Sequence, residues 1–134
     1  SSAASDVYKR QLLVEDNELN MEIAEFLLEG EGMIVVKASN GKEAVEKFAA
    51  SEVGGFDIIF MDVMMPVMNG LDAARKIRSM TRADAQAIPV IAMTANAFQD
   101  DVQRSFEVGM NAHITKPLDI NKIREAITDV MTKK

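Results

Sequence analysis

The sequence predicts an α/β fold in which a parallel sheet carries helices on both faces. Short apolar runs alternate five times with helical patterns, as expected of repeated βα units. The run 58–61 is apolar throughout, which is typical of a strand buried on both faces. It ends at Asp62, and the turn signals Pro66 and Asn69-Gly70 follow. A carboxylate is therefore expected where a buried strand meets a loop.

Each predicted strand is a short apolar run that stops at a polar residue or a turn signal. Right-handed connections place the carboxyl ends of all the strands at one edge of the sheet. In chain order, the strands are expected at 12–14, 33–36, 58–61, 89–92 and 112–114.

The helices are predicted from their caps and their apolar stripes. The first is expected at 19–29, and Asn40, Asn69 and Asp119 are expected to cap the second, third and fifth. Gly109 is expected to end the fourth. In order, the side chains expected to face the core are Ile23, Phe26 and Leu27; Ala44, Val45 and Phe48; Leu71, Ala74 and Ile77; Phe98, Val102 and Phe106; and Ile120, Ile123, Ile127 and Val130.

Composition argues against several classes of protein. At 134 residues the chain fits one domain, expected at 9–134 after a disordered lead-in at 1–8. No apolar run approaches the ~20 residues of a membrane span, so no membrane contact is expected. A net charge of -6, no Trp and one Tyr argue against nucleic-acid binding. The absence of Cys excludes a disulfide framework and suits a cytoplasmic protein.

Polar residues follow four of the predicted strands at the carboxyl edge, where α/β proteins bind ligands. They are Glu15 and Asp16, Asp62, Thr94 and Lys116. Singly, each has a plainer interpretation: the acidic pair as a helix cap, Thr94 as a turn residue, Lys116 as a surface lysine. Their convergence at one edge indicates a site.

The chemistry follows from the charges. Three clustered carboxylates repel one another, and the one positive charge of Lys116 is too little to balance them. Oxygen ligands with room for water favour Mg²⁺. An ionised carboxylate can attack phosphorus without a general base. Phosphoryl transfer is therefore compatible with a chain whose only histidine is His113. We therefore expect phosphoryl transfer, with Asp62 as nucleophile and Thr94 bonding a phosphoryl oxygen.

These residues resemble the receiver domain of two-component response regulators, over about residues 10–131. The resemblance implies a flavodoxin-like fold with strand order 2-1-3-4-5. The sequence around Thr94 and Gly109 is similar to that of receivers from hybrid sensor histidine kinases. The matching segments are Leu12-Leu13-Val14-Glu15-Asp16-Asn17, Met61-Asp62-Val63-Met64-Met65-Pro66-Val67-Met68-Asn69-Gly70, Ile91-Ala92-Met93-Thr94-Ala95 and Lys116-Pro117.

The resemblance implies a role for each site residue. Asp62 resembles the phosphoacceptor, and Thr94 and Lys116 resemble the switch hydroxyl and the lysine that contacts the phosphoryl group. His113 stands where the family has its switch aromatic, usually Tyr or Phe. The implied Mg²⁺ ligands are Asp16, Asp62 and the backbone carbonyl of Met64, with Glu15 acting through water; Met64 and Asn96 are implied to tune the lifetime of the phosphoryl group.

The implied partner is a histidine kinase or a histidine phosphotransfer domain. An output partner is expected on the surface formed by the fourth helix, fifth strand and fifth helix. Catalysis would be limited to self-phosphorylation from a phosphodonor and slow autodephosphorylation, so this is not a conventional enzyme.

Two alternatives from other classes remain open at this stage. A phosphatase of haloacid-dehalogenase type would need an Asp two residues after the nucleophile, where this chain has Met64. A flavodoxin-like cofactor binder would need a phosphate-binding loop after the first strand, where this chain has the acidic segment 16–18.

Overall fold

Five strands form one parallel sheet in the computed structural model, which describes residues 10–95 and 99–132. The strands are β1 (Arg10–Val14), β2 (Ile34–Ala38), β3 (Ile58–Asp62), β4 (Val90–Thr94) and β5 (Ala112–Thr115). Their order across the sheet is β2-β1-β3-β4-β5, with every neighbouring pair parallel. The predicted fold and strand order are confirmed. The expected lead-in, residues 1–8, lies outside the described residues.

Five helices connect and follow the strands: α1 (Glu18–Gly30), α2 (Gly41–Ala50), α3 (Gly70–Arg78), α4 (Gln99–Glu107) and α5 (Ile120–Thr132). The predicted caps are confirmed. The side chains of Asn40 and Asn69 accept the amide three residues on, and Asp119 accepts the Lys122 amide at 2.9 Å. Each cap therefore satisfies an amide that the first turn leaves without a partner.

Two hydrophobic cores cover the two faces of the sheet. One joins Phe48 of α2 and Ile77 of α3 to Ile59 of β3. The other includes Leu28 of α1 and Ile127 of α5. Within the part of the chain described, no helix combines the length and the apolar character needed to cross a membrane.

The predicted core face of α1 is wrong at two of its three residues, since Leu27 is half-buried and packs against the second core as expected. Ile23 and Phe26 are 42% and 76% exposed, whereas Ala24 and Leu28 are buried. The helix is apolar on more than one side, so its periodicity could not identify the side that meets the sheet.

Phe106 of α4 is also exposed, at 45%, although it was expected in the core. Its ring instead meets His113 edge to face, with centroids 6.4 Å apart. Val102 is half-buried, and the third member of that predicted stripe, Phe98, lies outside the described residues.

Candidate functional site

Four strand ends bring the predicted polar residues to the carboxyl edge of the sheet. Glu15 directly follows β1, Asp62 and Thr94 end β3 and β4, and Lys116 directly follows β5. Glu15, Asp62 and Thr94 are buried, and the neighbouring Asp16 is exposed. The register of the parallel strands thus creates a small polar site beneath an acidic rim.

Lys116 lies between the two buried carboxylates. Its Nζ is 2.8 Å from Oε1 of Glu15 and 3.1 Å from Oδ2 of Asp62. Backbone amides hold the other oxygens: Asn17 N donates to Glu15 Oε2 at 3.1 Å, and Met64 N donates to Asp62 Oδ1 at 3.3 Å. Both carboxylates are therefore fixed in orientation by an ammonium on one side and an amide on the other.

The electrostatics leave this site short of positive charge. Burial and then the charge of Glu15 raise the pKa of Asp62 from 3.8 to about 7, although Lys116 acts in the opposite direction. Burial alone would lower the pKa of Lys116, but its contacts with Glu15 and Asp62 outweigh burial and raise it. The ammonium is therefore held charged beside a carboxylate whose ionisation is disfavoured.

The acidic residues have the geometry of a divalent-cation site. One carboxylate oxygen from each of Glu15, Asp16 and Asp62 lies within 4.8 Å of the other two. Oxygen donors at this spacing, with one of them exposed to water, suit Mg²⁺, which prefers oxygen ligands and keeps part of its hydration shell. The residues present therefore fit the expected ion.

The plainer interpretation of Glu15 and Asp16 as a helix cap is wrong. Asn17 caps α1, because its side chain accepts the Asn20 amide at 2.9 Å. The carboxylate of Glu15 is turned instead toward Lys116. The acidic pair is thus available to the site.

Glycines support the loop that carries Asp62 into α3, a role that sequence reasoning missed. A Cβ at Gly70 would lie 2.1 Å from the carbonyl oxygen of Asp62, so only glycine fits there. A Cβ at Gly41 would lie 2.4 Å from the carbonyl oxygen of Met68. The nearby Val67 has a φ of 69°, which is unfavourable for a β-branched residue. The Asn-Gly pair at 69–70 is the available signal: it predicts a turn and the cap at Asn69, but not the close approach of the Asp62 carbonyl to Gly70.

The remaining predicted residues surround the site. Thr94 follows Met93, the register partner of Asp62 across β3 and β4. Met64 is 74% exposed. His113 is exposed on β5. Asn96 lies outside the described residues.

Comparison with known proteins identifies the family. Residues 12–128 match the family model of the response regulator receiver domain. Probable histidine kinase 2 of Oryza sativa is 37% identical over 130 residues, covering 89% of this chain and 12% of the relative. Hybrid signal transduction histidine kinase I of Dictyostelium discoideum is 31% identical over 134 residues, covering 98% of this chain and 8% of the relative. The chain thus spans about a tenth of the length of these relatives.

A solved structure agrees with this result. The receiver domain of a sensor histidine kinase from Pseudomonas aeruginosa is 31% identical and superposes with a TM-score of 0.81, covering 93% of this chain and 98% of that one. A magnesium ion is coordinated in the active site cleft of that protein. Neither the phosphatase nor the flavodoxin alternative is supported by the comparisons. The acidic cluster at the sheet edge fits a phosphoacceptor site, and this chain belongs to the receiver domain family of two-component signalling.

Proposed function

We propose that Asp62 accepts a phosphoryl group from a phosphohistidine of a histidine kinase or histidine phosphotransfer domain. The observation that carries this proposal is the placement of Asp62. It is buried at a strand end, in contact with Lys116 and grouped with two further carboxylates. A structural aspartate would not need this clustering of like charge.

The transfer is a direct displacement at phosphorus. A carboxylate oxygen of Asp62 forms a bond to phosphorus as the phosphorus–nitrogen bond to the donor histidine breaks, and the imidazole leaves with the bonding electrons. Lys116 remains protonated and moves to contact the new phosphoryl oxygens, and Thr94 donates its hydroxyl to one of them. The acyl phosphate is then hydrolysed slowly by water.

Mg²⁺ would be held by Asp16, Asp62 and the backbone carbonyl of Met64, with Glu15 acting through water. When bound, it supplies positive charge to the oxygens of the transferring phosphoryl group. The clustered carboxylates support this assignment. We expect Asp16→Asn to weaken Mg²⁺ binding more than Glu15→Gln does in an NMR titration. Equal affinities in wild type and Asp16→Asn would contradict the ligand set.

The test of the phosphoacceptor uses a small phosphodonor. Wild-type protein incubated with acetyl phosphate and Mg²⁺ should gain one phosphoryl group by intact mass, and Asp62→Asn should gain none. Asp57→Asn is a matched control, because Asp57 lies at the opposite edge of the sheet and accepts the Arg10 amide at 2.9 Å. Phosphorylation of Asp62→Asn at the wild-type level would refute the assignment.

An exposed apolar strip on α1 supports a docking place for the donor. Leu19, Ile23 and Phe26 are 64%, 42% and 76% exposed, at spacings that place them along one side of the helix. A small cavity beside Ile23 is also lined by Glu15, Lys116, Pro117 and Leu118. A partner that covers this strip would hold its phosphohistidine next to Asp62.

The output partner is assigned to the surface of α4, β5 and α5. A groove of about 250 Å³ there is lined by Phe106, His113 and Lys122, among others. We assign His113 and Thr94 to the switch, and Met64 and Asn96 to the control of the lifetime of the phosphoryl group. We assign residues 9–134 to the receiver domain, with the cytoplasm as its location. The negative charge of a phosphoryl group on Asp62 would alter this groove through Thr94 and β5.

A further inference from the structure

Met64 differs from every other methionine of the chain in its exposure. The sequence has ten methionines, and all of them lie among the described residues. Nine are buried or half-buried, whereas Met64 is 74% exposed. Because oxidants reach an exposed thioether first, a diffusible oxidant should attack Met64 before the others.

No thiol competes with the methionines for this chemistry at sulfur. The chain has no cysteine, so thioethers are its only sulfur groups. Hydrogen peroxide oxidises a thioether in a two-electron step: sulfur gains an oxygen atom, the peroxide bond breaks, and water leaves. The product, a sulfoxide, is polar and a strong hydrogen-bond acceptor.

The backbone of Met64 is tied to the site. Its amide donates to Oδ1 of Asp62 at 3.3 Å, so the side chain begins two residues from the acceptor and extends into solvent at the rim of the site. A thioether there cannot orient water strongly, because it is a weak acceptor. A sulfoxide at the same place can accept a hydrogen bond from a water that approaches the phosphoryl group.

We propose that Met64 is a peroxide-sensitive modification site, and that its sulfoxide shortens the life of the phosphoryl group on Asp62. This inference rests on the proposed function of Asp62. One hydrogen bond to the attacking water corresponds to an acceleration of phosphate release of between about two-fold and ten-fold. Modification of one exposed side chain would thus reset the duration of the signal.

The experiment has two independent readouts. Mg²⁺-free protein is treated with limiting hydrogen peroxide, and peptide mass spectrometry locates the added oxygen. Treated and untreated protein are then phosphorylated with acetyl phosphate, separated from the donor, and followed for phosphate release in excess Mg²⁺. We expect oxygen first on Met64, faster release after treatment, and a return to the original rate after incubation with methionine sulfoxide reductases and a dithiol, which supplies the two electrons and is oxidised to a disulfide while the oxygen leaves as water.

Variants separate the effect of Met64 from general oxidation. Peroxide should not change the release rate of Met64→Leu, and it should accelerate Met65→Leu as it does wild type. Met64→Gln, which carries a polar acceptor without oxidation, should release phosphate faster than Met64→Leu. Preferential oxidation of another methionine, or an unchanged or slower release in oxidised wild type, would overturn the inference while leaving Asp62 as acceptor. Failure of untreated wild type to take up a phosphoryl group would overturn the proposed function, and this inference with it.

Discussion

The two ends of the strands differ in how they use positive charge. At the amino edge of the sheet, where the strands begin, Arg78 donates four hydrogen bonds. At the carboxyl edge, where the strands end, Lys116 is shared between two carboxylates. Arg78 binds the carbonyl of Gly109 twice, the carbonyl of Ala85 once and the side chain of Asn111 once, at 2.7–3.1 Å. Asn111 in turn accepts the amide of Val90 at 2.8 Å. This network joins α3 to the starts of β4 and β5 with donors and acceptors matched.

At the carboxyl edge the donors and acceptors are matched in geometry, but the negative charge exceeds the positive charge. Glu15 and Asp62 each contact Lys116, yet the pair carries more negative charge than one ammonium can balance. Burial, and after it the charge of Glu15, raises the pKa of Asp62. Polar groups at the amino edge therefore stabilise the fold. Those at the carboxyl edge are expected to cost stability, and we propose that they prepare the site for a cation and a phosphoryl group.

The largest expected effect tests the amino edge. Arg78→Ala should lower the free energy of unfolding by about 2–4 kcal/mol, because it leaves partly buried carbonyls without their donors. Arg75→Ala is the matched control on the same helix. Its guanidinium is largely exposed and contacts Asp72 alone at 3.0 Å, so a loss below about 0.5 kcal/mol is expected. Urea denaturation measures both variants, and equal losses would show that the Arg78 network contributes little.

At the carboxyl edge a substitution is expected to raise the free energy of unfolding rather than lower it. Without Mg²⁺ at pH 8, Asp62→Asn should raise the free energy of unfolding by about 1–3 kcal/mol, because it removes a buried charge that burial and Glu15 disfavour. Asp57→Asn at the amino edge should give no gain, since Asp57 already accepts the Arg10 amide. A loss of stability in Asp62→Asn would mean that the contact with Lys116 outweighs the repulsion.

The pH dependence of that difference sharpens the comparison. Asp62 binds its proton more tightly in the folded chain, so unfolding releases a proton between the ordinary pKa of 3.8 and about 7. The wild-type free energy of unfolding should therefore fall, relative to Asp62→Asn, as the pH rises through this window. The advantage of the variant should be absent near pH 3 and constant above pH ~8. An advantage that did not change with pH would locate its cause in packing rather than charge.

A smaller effect is expected in the loop between β3 and α3. Val67→Asn should stabilise the protein by up to about 1 kcal/mol, because Asn tolerates the positive φ of 69° better than a β-branched residue does. Val53→Asn is the control, as Val53 is a similarly exposed valine that has no positive φ. Thermal unfolding of both variants gives the comparison, and equal responses would show that the loop holds no backbone strain at this position.

The sequence was sufficient for the parts of the molecule that depend on local patterns. Buried strands such as 58–61 read as unbroken apolar runs, and the caps at Asn40, Asn69 and Asp119 follow from residue type and spacing. The acidic residues and Lys116 could be grouped because parallel strands present their carboxyl ends at one edge.

Other features depend on contacts between distant segments. The exposure of Phe26 could not be predicted, because α1 offers more than one apolar side and only packing selects among them. The Arg78 network joins segments that are 31 to 33 residues apart, which no local pattern reveals. The need for glycine at position 70 arises from the carbonyl of Asp62, eight residues earlier in the chain.

The most direct test of the account is to locate the phosphoryl group at residue level. Protein phosphorylated with acetyl phosphate and Mg²⁺ is reduced with sodium borohydride, which converts an aspartyl phosphate into homoserine, and its peptides are sequenced by mass spectrometry. We expect homoserine at position 62 in wild type and none in Asp62→Asn. Homoserine at position 16, or phosphorylation of wild type that leaves Asp62 intact, would contradict it.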